Sequence, residues 1–196
     1  MWKRFIYTAI IGILCNIESI AQEIIEPVFD RSDIPEFHVE KVVITQDTTY
    51  VYCSSQVTVG EASISKDMYL EDVSNGTRFP LLKTLGLPIS PGKREFTNNG
   101  NIQVILYFPH INTSKFNIIE DYIKIYGINL SESYSTKYEH SDYKRFQNLS
   151  DFYLSANNES KYLEFEEKEL QAAQYLYGIK SIFALLCYQQ LSSLYD

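Results

Sequence analysis

From Glu36 onward the apolar positions recur every second residue. In TTYVYCS, Thr49, Val51 and Cys53 fall on one side and Tyr50 and Tyr52 on the other. In NIQVILYF, Ile102, Val104, Leu106 and Phe108 alternate with Gln103, Ile105 and Tyr107. Asn98-Asn99-Gly100 turns the chain into this run, and Pro109 ends it because proline cannot donate to a ladder. Between YLEDVS and TRFPLL stands Asn75-Gly76, the pair that takes the two positive φ angles of a type I′ hairpin turn. The pattern predicts seven or eight strands, near 37–45, 48–54, 61–65, 68–73, 77–82, 102–108, 115–119 and 122–129. Short strands at this spacing predict a mainly β fold, an Ig-like antiparallel β-sandwich. No long helical period interrupts residues 36–130, so an α/β fold is not expected.

The period changes at the C-terminal end. Residues 131–158 are polar, rich in Ser and Tyr, and read as a linker with a helical turn around Tyr143–Phe152. From Ser160, Leu163, Leu170, Ala173 and Tyr177 share a helical face until Gly178 breaks it. A second helix follows from about Ser181 to Leu194, carrying Ile182, Leu185, Leu186 and Leu191. Residues 159–196 thus predict a helical hairpin. Burying Ile182, Phe183, Leu185 and Leu186 is worth on the order of 6–10 kcal/mol at about 25 cal/mol per Å2. The hairpin is therefore expected to lie on the β layer or to meet a partner, with docking on its own chain preferred.

The N-terminus bears on compartment. Lys3 and Arg4 precede an apolar run from Phe5 to Cys15, and Ser19-Ile20-Ala21 offers a peptidase site, so residues 1–21 read as a secretory signal peptide. The run is too short to span a bilayer, which takes about 20 residues. Leu14 before Cys15 does not fit a lipid-attachment box. Residues 22–35 are polar with two prolines and read as a lead-in to a domain at 36–130. Of 17 basic and 25 acidic residues the leader removes Lys3, Arg4 and Glu18, leaving a net charge of about −9. That charge excludes phosphate backbones and disfavours anionic lipid. The remaining Cys53 and Cys187 do not make a disulfide scaffold and are expected as buried small side chains, although export permits a disulfide.

Taken in order, several stretches resemble a secreted β-sandwich module common in the Bacteroidota. They are Pro27 and Phe29, VEKVVITQDTTYVYC, ISKDMYLEDVSNGTRFPLL, GLPISPG, QVILYFPHI and FNIIEDYIKIYGINL. The likeness covers about residues 25–130. Such modules often precede thioredoxin-like domains, but this chain has no Cys-x-x-Cys on which a redox role could rest. The resemblance implies no catalytic residues. In the tail, Ala172, Tyr175, Ala184, Tyr188 and Leu191 are similar in spacing to a tetratricopeptide helix pair, with Gly178 one residue out of step and one hairpin in place of three.

Candidate chemistry is sparse. Glu120 and Asp121 are adjacent on an extended segment, so their carboxylates point apart. Glycosidase carboxyls must stand about 5–10 Å apart across a cleft. The pair is therefore expected at a bend between strands, with Glu120 accepting backbone N–H bonds, and Glu71-Asp72 beside the hairpin reads the same way. His38, His110 and His140 are isolated and suggest no zinc motif. No nucleophile elbow, phosphate-cradling loop or calcium run is present. The sixteen tyrosines suit recognition of glycans or proteins if exposed. The expectation is an exported, non-catalytic interaction module of the periplasm or cell surface, without cofactor. Its partner would be an envelope protein, or a second copy through the hairpin. Alternatives are an accessory or orphaned module of an envelope thioredoxin-like enzyme, and a glycan-binding module.

Overall fold

The structure is a computed structural model and describes residues 21–193; the predicted leader lies outside them apart from Ala21. The strands are β1 (Gln22–Ile25), β2 (Arg31–Ser32), β3 (Phe37–Ile44), β4 (Thr48–Val57), β5 (Gly60–Ala62) and β6 (Tyr69–Asp72). They continue with β7 (Arg78–Pro80), β8 (Lys83–Leu85), β9 (Arg94–Phe96), β10 (Gly100–Pro109), β11 (Lys115–Ile119) and β12 (Lys124–Asn129). Three helices follow: α1 (His140–Ser155), α2 (Glu159–Tyr177) and α3 (Ile182–Ser192). The protein is mainly β, with antiparallel sheets ordered β1-β3-β4-β10-β8, β2-β12-β11-β6-β7 and β5-β9. Among the described residues twelve strands stand where seven or eight were expected; the additional ones, β1, β2, β8 and β9, are four residues or fewer and too short to show a period.

The two five-stranded sheets share one core. The first contributes Val42, Val51, Val104, Leu106 and Phe108, the second Leu70, Phe116, Ile118, Ile125 and Ile128, all at most 1 % exposed. Two bulges set the phase. In β3 the buried residues run Phe37, Val39, Val42, Ile44, and the three-residue step falls where its register against β4 shifts. In β12 the step from Ile125 to Ile128 does the same opposite β11. There Gly127, at φ +67°, takes the left-handed conformation, and its N–H donates to Asn117 Oδ1 at 2.8 Å. Each extra residue brings a second pair of apolar side chains back onto the core face.

The Asn75-Gly76 hairpin joins β6 to β7, but its turn is not type I′. Only Gly76 has positive φ, and Asp72 N–H closes on Thr77 O at 2.9 Å around four residues. The buried Asp72 carboxylate accepts from Ser74 N–H at 2.8 Å and from the Asn75 amide at 3.1 Å. Its side chain prefers this longer loop over the two-residue turn.

The stretch read as a linker folds as α1. Its Glu139 and Asp142 form a reciprocal capping box at the N-terminus. α1 runs back along α2, with Tyr153 stacked on Phe165 at 5.5 Å and Phe146 on the same flank. α3 returns along α2 with Ala184 and Cys187 packed on Ala173. Both cysteines are free and buried.

The lead-in, not α3, ties the helices to the sheets. Ile179 N–H donates to Phe29 O at 3.0 Å and Lys180 N–H to Asp30 O at 2.7 Å. The Asp30 carboxylate also pairs with Lys115 at 2.9 Å and Lys180 at 3.0 Å. Gly178 makes this approach possible: its φ is +98°, and a Cβ there would stand 2.4 Å from Asp30 O. Gly178→Ala is expected to cost about 1–2 kcal/mol in urea unfolding. An unchanged midpoint would mean that the junction yields freely.

Candidate functional site

The most developed constellation lies where β1 ends against α2. Glu26 sits at φ +48°, which turns its side chain under the helices, and is 4 % exposed. Its Oε2 accepts from Tyr175 Oη at 3.0 Å and lies 2.9 Å from His38 Nε2. Lys137 pairs with Oε1. Burial alone pushes the Glu26 carboxyl up; the bonds from His38, Lys137 and Tyr175 together outweigh it and hold it below the usual glutamate range.

Aromatic rings surround these bonds. Tyr175 meets His38 at 4.7 Å, Tyr134 at 5.4 Å and Tyr138 at 6.0 Å between centroids, and Phe29 meets Tyr134 at 6.1 Å. Tyr134 Oη donates to Gln174 O at 2.7 Å, and Tyr138 Oη to Gln171 Oε1 at 2.8 Å. The sheet and the helices are thus joined around one charged knot by a tilted contact at His38 and edge-to-face contacts at Tyr134 and Tyr138.

Beside the knot opens a groove of about 640 Å3. Its floor is the outer face of β3 and β4 at Glu40, Ser54 and Gln56, with Asn101 of β10. Its wall is Tyr138 and the start of α1. Such a volume is in the range that holds a small ligand or a peptide segment. The groove mixes neutral amide and hydroxyl groups with both signs of charge.

Of the residues weighed from the sequence, His38 and His140 both line this groove, and the others lie elsewhere. Glu120 is 8 % exposed and accepts from Ser65 N–H at 2.6 Å, while its own N–H donates to Ile123 O at 2.8 Å. Burial raises its pKa. Asp121 beside it is exposed, so the pair forms a bend between β11 and β12, as the alternation requires. Glu120 lines a recess of about 280 Å3 with Ile34, Phe37 and Ile64, to which neither His38 nor His110 contributes. Glu71 turns outward to Arg78 at 3.4 Å, and Asp72 turns inward to its loop. His110 Nδ1 lies 2.6 Å from Thr45 O, and His140 Nδ1 lies 3.2 Å from Tyr177 Oη. Among the described residues no three His, Cys, Asp or Glu side chains are grouped to hold a metal ion.

Three tyrosines share the outer face of the first sheet. Tyr50 packs edge-on against Tyr107 at 5.1 Å; Lys83 lies over the Tyr107 ring and Lys41 over Tyr52, each at 4.5 Å. The lysines occupy ring faces on which a sugar would stack.

A second polar cluster lies inside the helices. Glu166 and Glu169 are 2 % and 3 % exposed. Ser150 donates to Glu166 Oε1, and Gln147 donates to Glu169 Oε1 at 3.4 Å. Glu166 Oε2 has no partner among the described residues. Burial, then the neighbouring Glu166, pushes Glu169 up to about 7. Burial and the Glu169 charge push the Cys187 thiol up to about 12, which makes it unreactive.

Sequence reasoning missed Glu26, Glu166 and Glu169. Glu26 lies in a stretch read as lead-in, and its partners His38, Lys137 and Tyr175 come from three distant segments. Glu166 stands three residues after Leu163 and four before Leu170, on the apolar face itself, with Glu169 at its edge, but an acidic side chain gives no apolar signal there; α1 packs over them.

The fold and the knot define a mainly β protein bonded through its lead-in to a C-terminal helical unit. Compared with family models, curated proteins and solved structures, the chain matches none.

Proposed function

We propose that this chain is an exported, non-catalytic interaction module of the bacterial envelope, built on an Ig-like β-sandwich of the secreted Bacteroidota type. The groove at the sheet–helix junction carries this reading: it holds about 640 Å3, and a buried carboxylate fixes His38 and Tyr175 along its edge. Its donors and acceptors are spread along an open trough, which suits an extended partner segment laid across the ends of β3 and β4. His38, Tyr175 and Lys137 at its edge are tied to Glu26, and His140 lies against Tyr177, so the reading assigns no catalytic residue and no cofactor. The signal-like pattern of residues 1–21, two basic residues before a short apolar run, supports export to the periplasm or cell surface. No described helix is long and apolar enough to cross a membrane.

The test is capture from envelope extracts with the chain from Gln22 to Asp196 as bait, run beside Gln56→Trp. Gln56 is exposed on the groove floor, so an indole there fills the trough without entering the core. The substituted bait should retain at least about tenfold less of any species that wild type enriches, a difference of about 1.4 kcal/mol. Equal retention by both baits would remove the groove as the binding surface.

A further inference from the structure

We infer that α3 is a self-association surface, and that two copies pair antiparallel through it about a two-fold axis. This stands apart from the groove and does not depend on it.

The helix is apolar on two sides but covered on one. Ala184, Cys187 and Leu191 face α2 and are buried. Ile182, Leu185 and Leu186 lie at i, i+3 and i+4 on the opposite side and are 63 %, 53 % and 50 % exposed. Phe183 and Tyr188 flank them at 40 % and 48 %. The expected docking of these residues on the β layer does not occur, because α2 and the lead-in already make that junction.

Area and charge both favour a second copy as the cover. At roughly 150–250 Å2 for a large side chain, the five exposed residues offer about 500 Å2 per copy. Two copies would bury about 1,000 Å2 from these side chains alone, at the threshold for a specific interface. The glutamines at 189 and 190 add to it. The chain carries a net charge of −8, yet no charged residue occurs from Ser181 to Tyr195. This is where two acidic molecules can meet without bringing like charges together. A charged partner would gain no complementary contact on this face.

The face is also suited to its own copy. An antiparallel pair centred between positions 185 and 186 sets Leu185 against the partner's Leu186, and Ile182 against the partner's Gln189. Each contact recurs by symmetry. Beside Leu186 lies a recess of about 330 Å3 between α1 and α3, lined by Tyr143, Gln147, Gln190 and Ser193. The partner's Leu185 arrives at its lip, a knob beside a hole on the same surface.

The experiment is sedimentation of the chain from Gln22 to Asp196 over about 1–500 μM, with thermal unfolding as the check on folding. Wild type should reach twice the monomer mass. Leu185→Glu and, separately, Leu186→Lys should each weaken the dimer at least about thirtyfold. The double variant, Leu185→Glu with Leu186→Lys, pairs Glu with Lys across the axis and should return to within about threefold of wild type. A monomer throughout the range overturns the inference. So does a dimer indifferent to either single substitution, or failure of the double variant to recover. Gln56→Trp should leave the dimer unchanged, so loss of groove binding and loss of self-association are read separately.

Discussion

Replacing Glu26 with alanine should cost about 3–5 kcal/mol of folding stability at pH 7, read as the shift in urea midpoint. The substitution leaves the buried Tyr175 and the half-buried His38 at the junction without the oxygen that both address at about 3 Å, and leaves Lys137 without its carboxylate. For a chain of this length the loss corresponds to a fall of about 6–20 °C in Tm. Glu26→Gln keeps the shape and one acceptor, so it should cost less than alanine. The pH dependence has a definite sign. Partners hold the folded carboxyl below its ordinary value, so the stabilisation is present above the unfolded pKa of about 4.5 and disappears as pH falls through the folded value. The gap between wild type and Glu26→Gln should therefore be widest at neutral pH and close as pH falls from the unfolded value through the lower folded one. A gap that stays constant across that range, or an alanine variant as stable as wild type, would show that aromatic packing alone holds the junction.

The β region was legible because period-two patterning is local. β3, β4, β10, β11 and β12 fall on predicted runs, and β11 coincides with 115–119. Even the bulges leave a trace, since a three-residue step between Val39 and Val42 is what an inserted residue does to an alternating pattern. Strands of two to four residues carry no such trace. β2 pairs with β12 through only Ser32 and Arg31, and tertiary position alone makes it a strand.

The helical end was read less well for a different reason. α1 contains Tyr143, Phe146, Ser150 and Tyr153 among charges, and buries only Phe146 and Ser150. A helix that buries so little looks like a linker. Its presence changes the meaning of α2, because Glu166 and Glu169, acidic residues on and beside the apolar face, become interior residues beneath it. Likewise Glu26 gains its role only when His38, Lys137 and Tyr175 converge. The spacing of 149 residues between Glu26 and Tyr175 is beyond any local pattern.

That interior placement leads to the second large effect: Glu169→Gln should make the protein more stable at pH 8, by about 2 kcal/mol. Burial and the adjacent Glu166 push the folded carboxyl up to about 7, whereas in the unfolded chain it titrates near 4.5. Between these values the folded state holds the proton that the unfolded state has lost. Stability therefore declines as pH rises from about 4.5 through 7. Glutamine has no charge to bury and still offers Gln147 and Cys187 an acceptor oxygen, so it escapes that decline. Most of the gain should follow from desolvation, since replacing a buried charge by a neutral group of equal shape removes its burial penalty. Urea midpoints of the two proteins should agree near pH 4.5, separate as pH rises, and run parallel above about pH 8. If Glu169→Gln instead lowers the midpoint equally at every pH, the carboxylate is already charged and well solvated in the folded protein, and α1 does not seal the cluster.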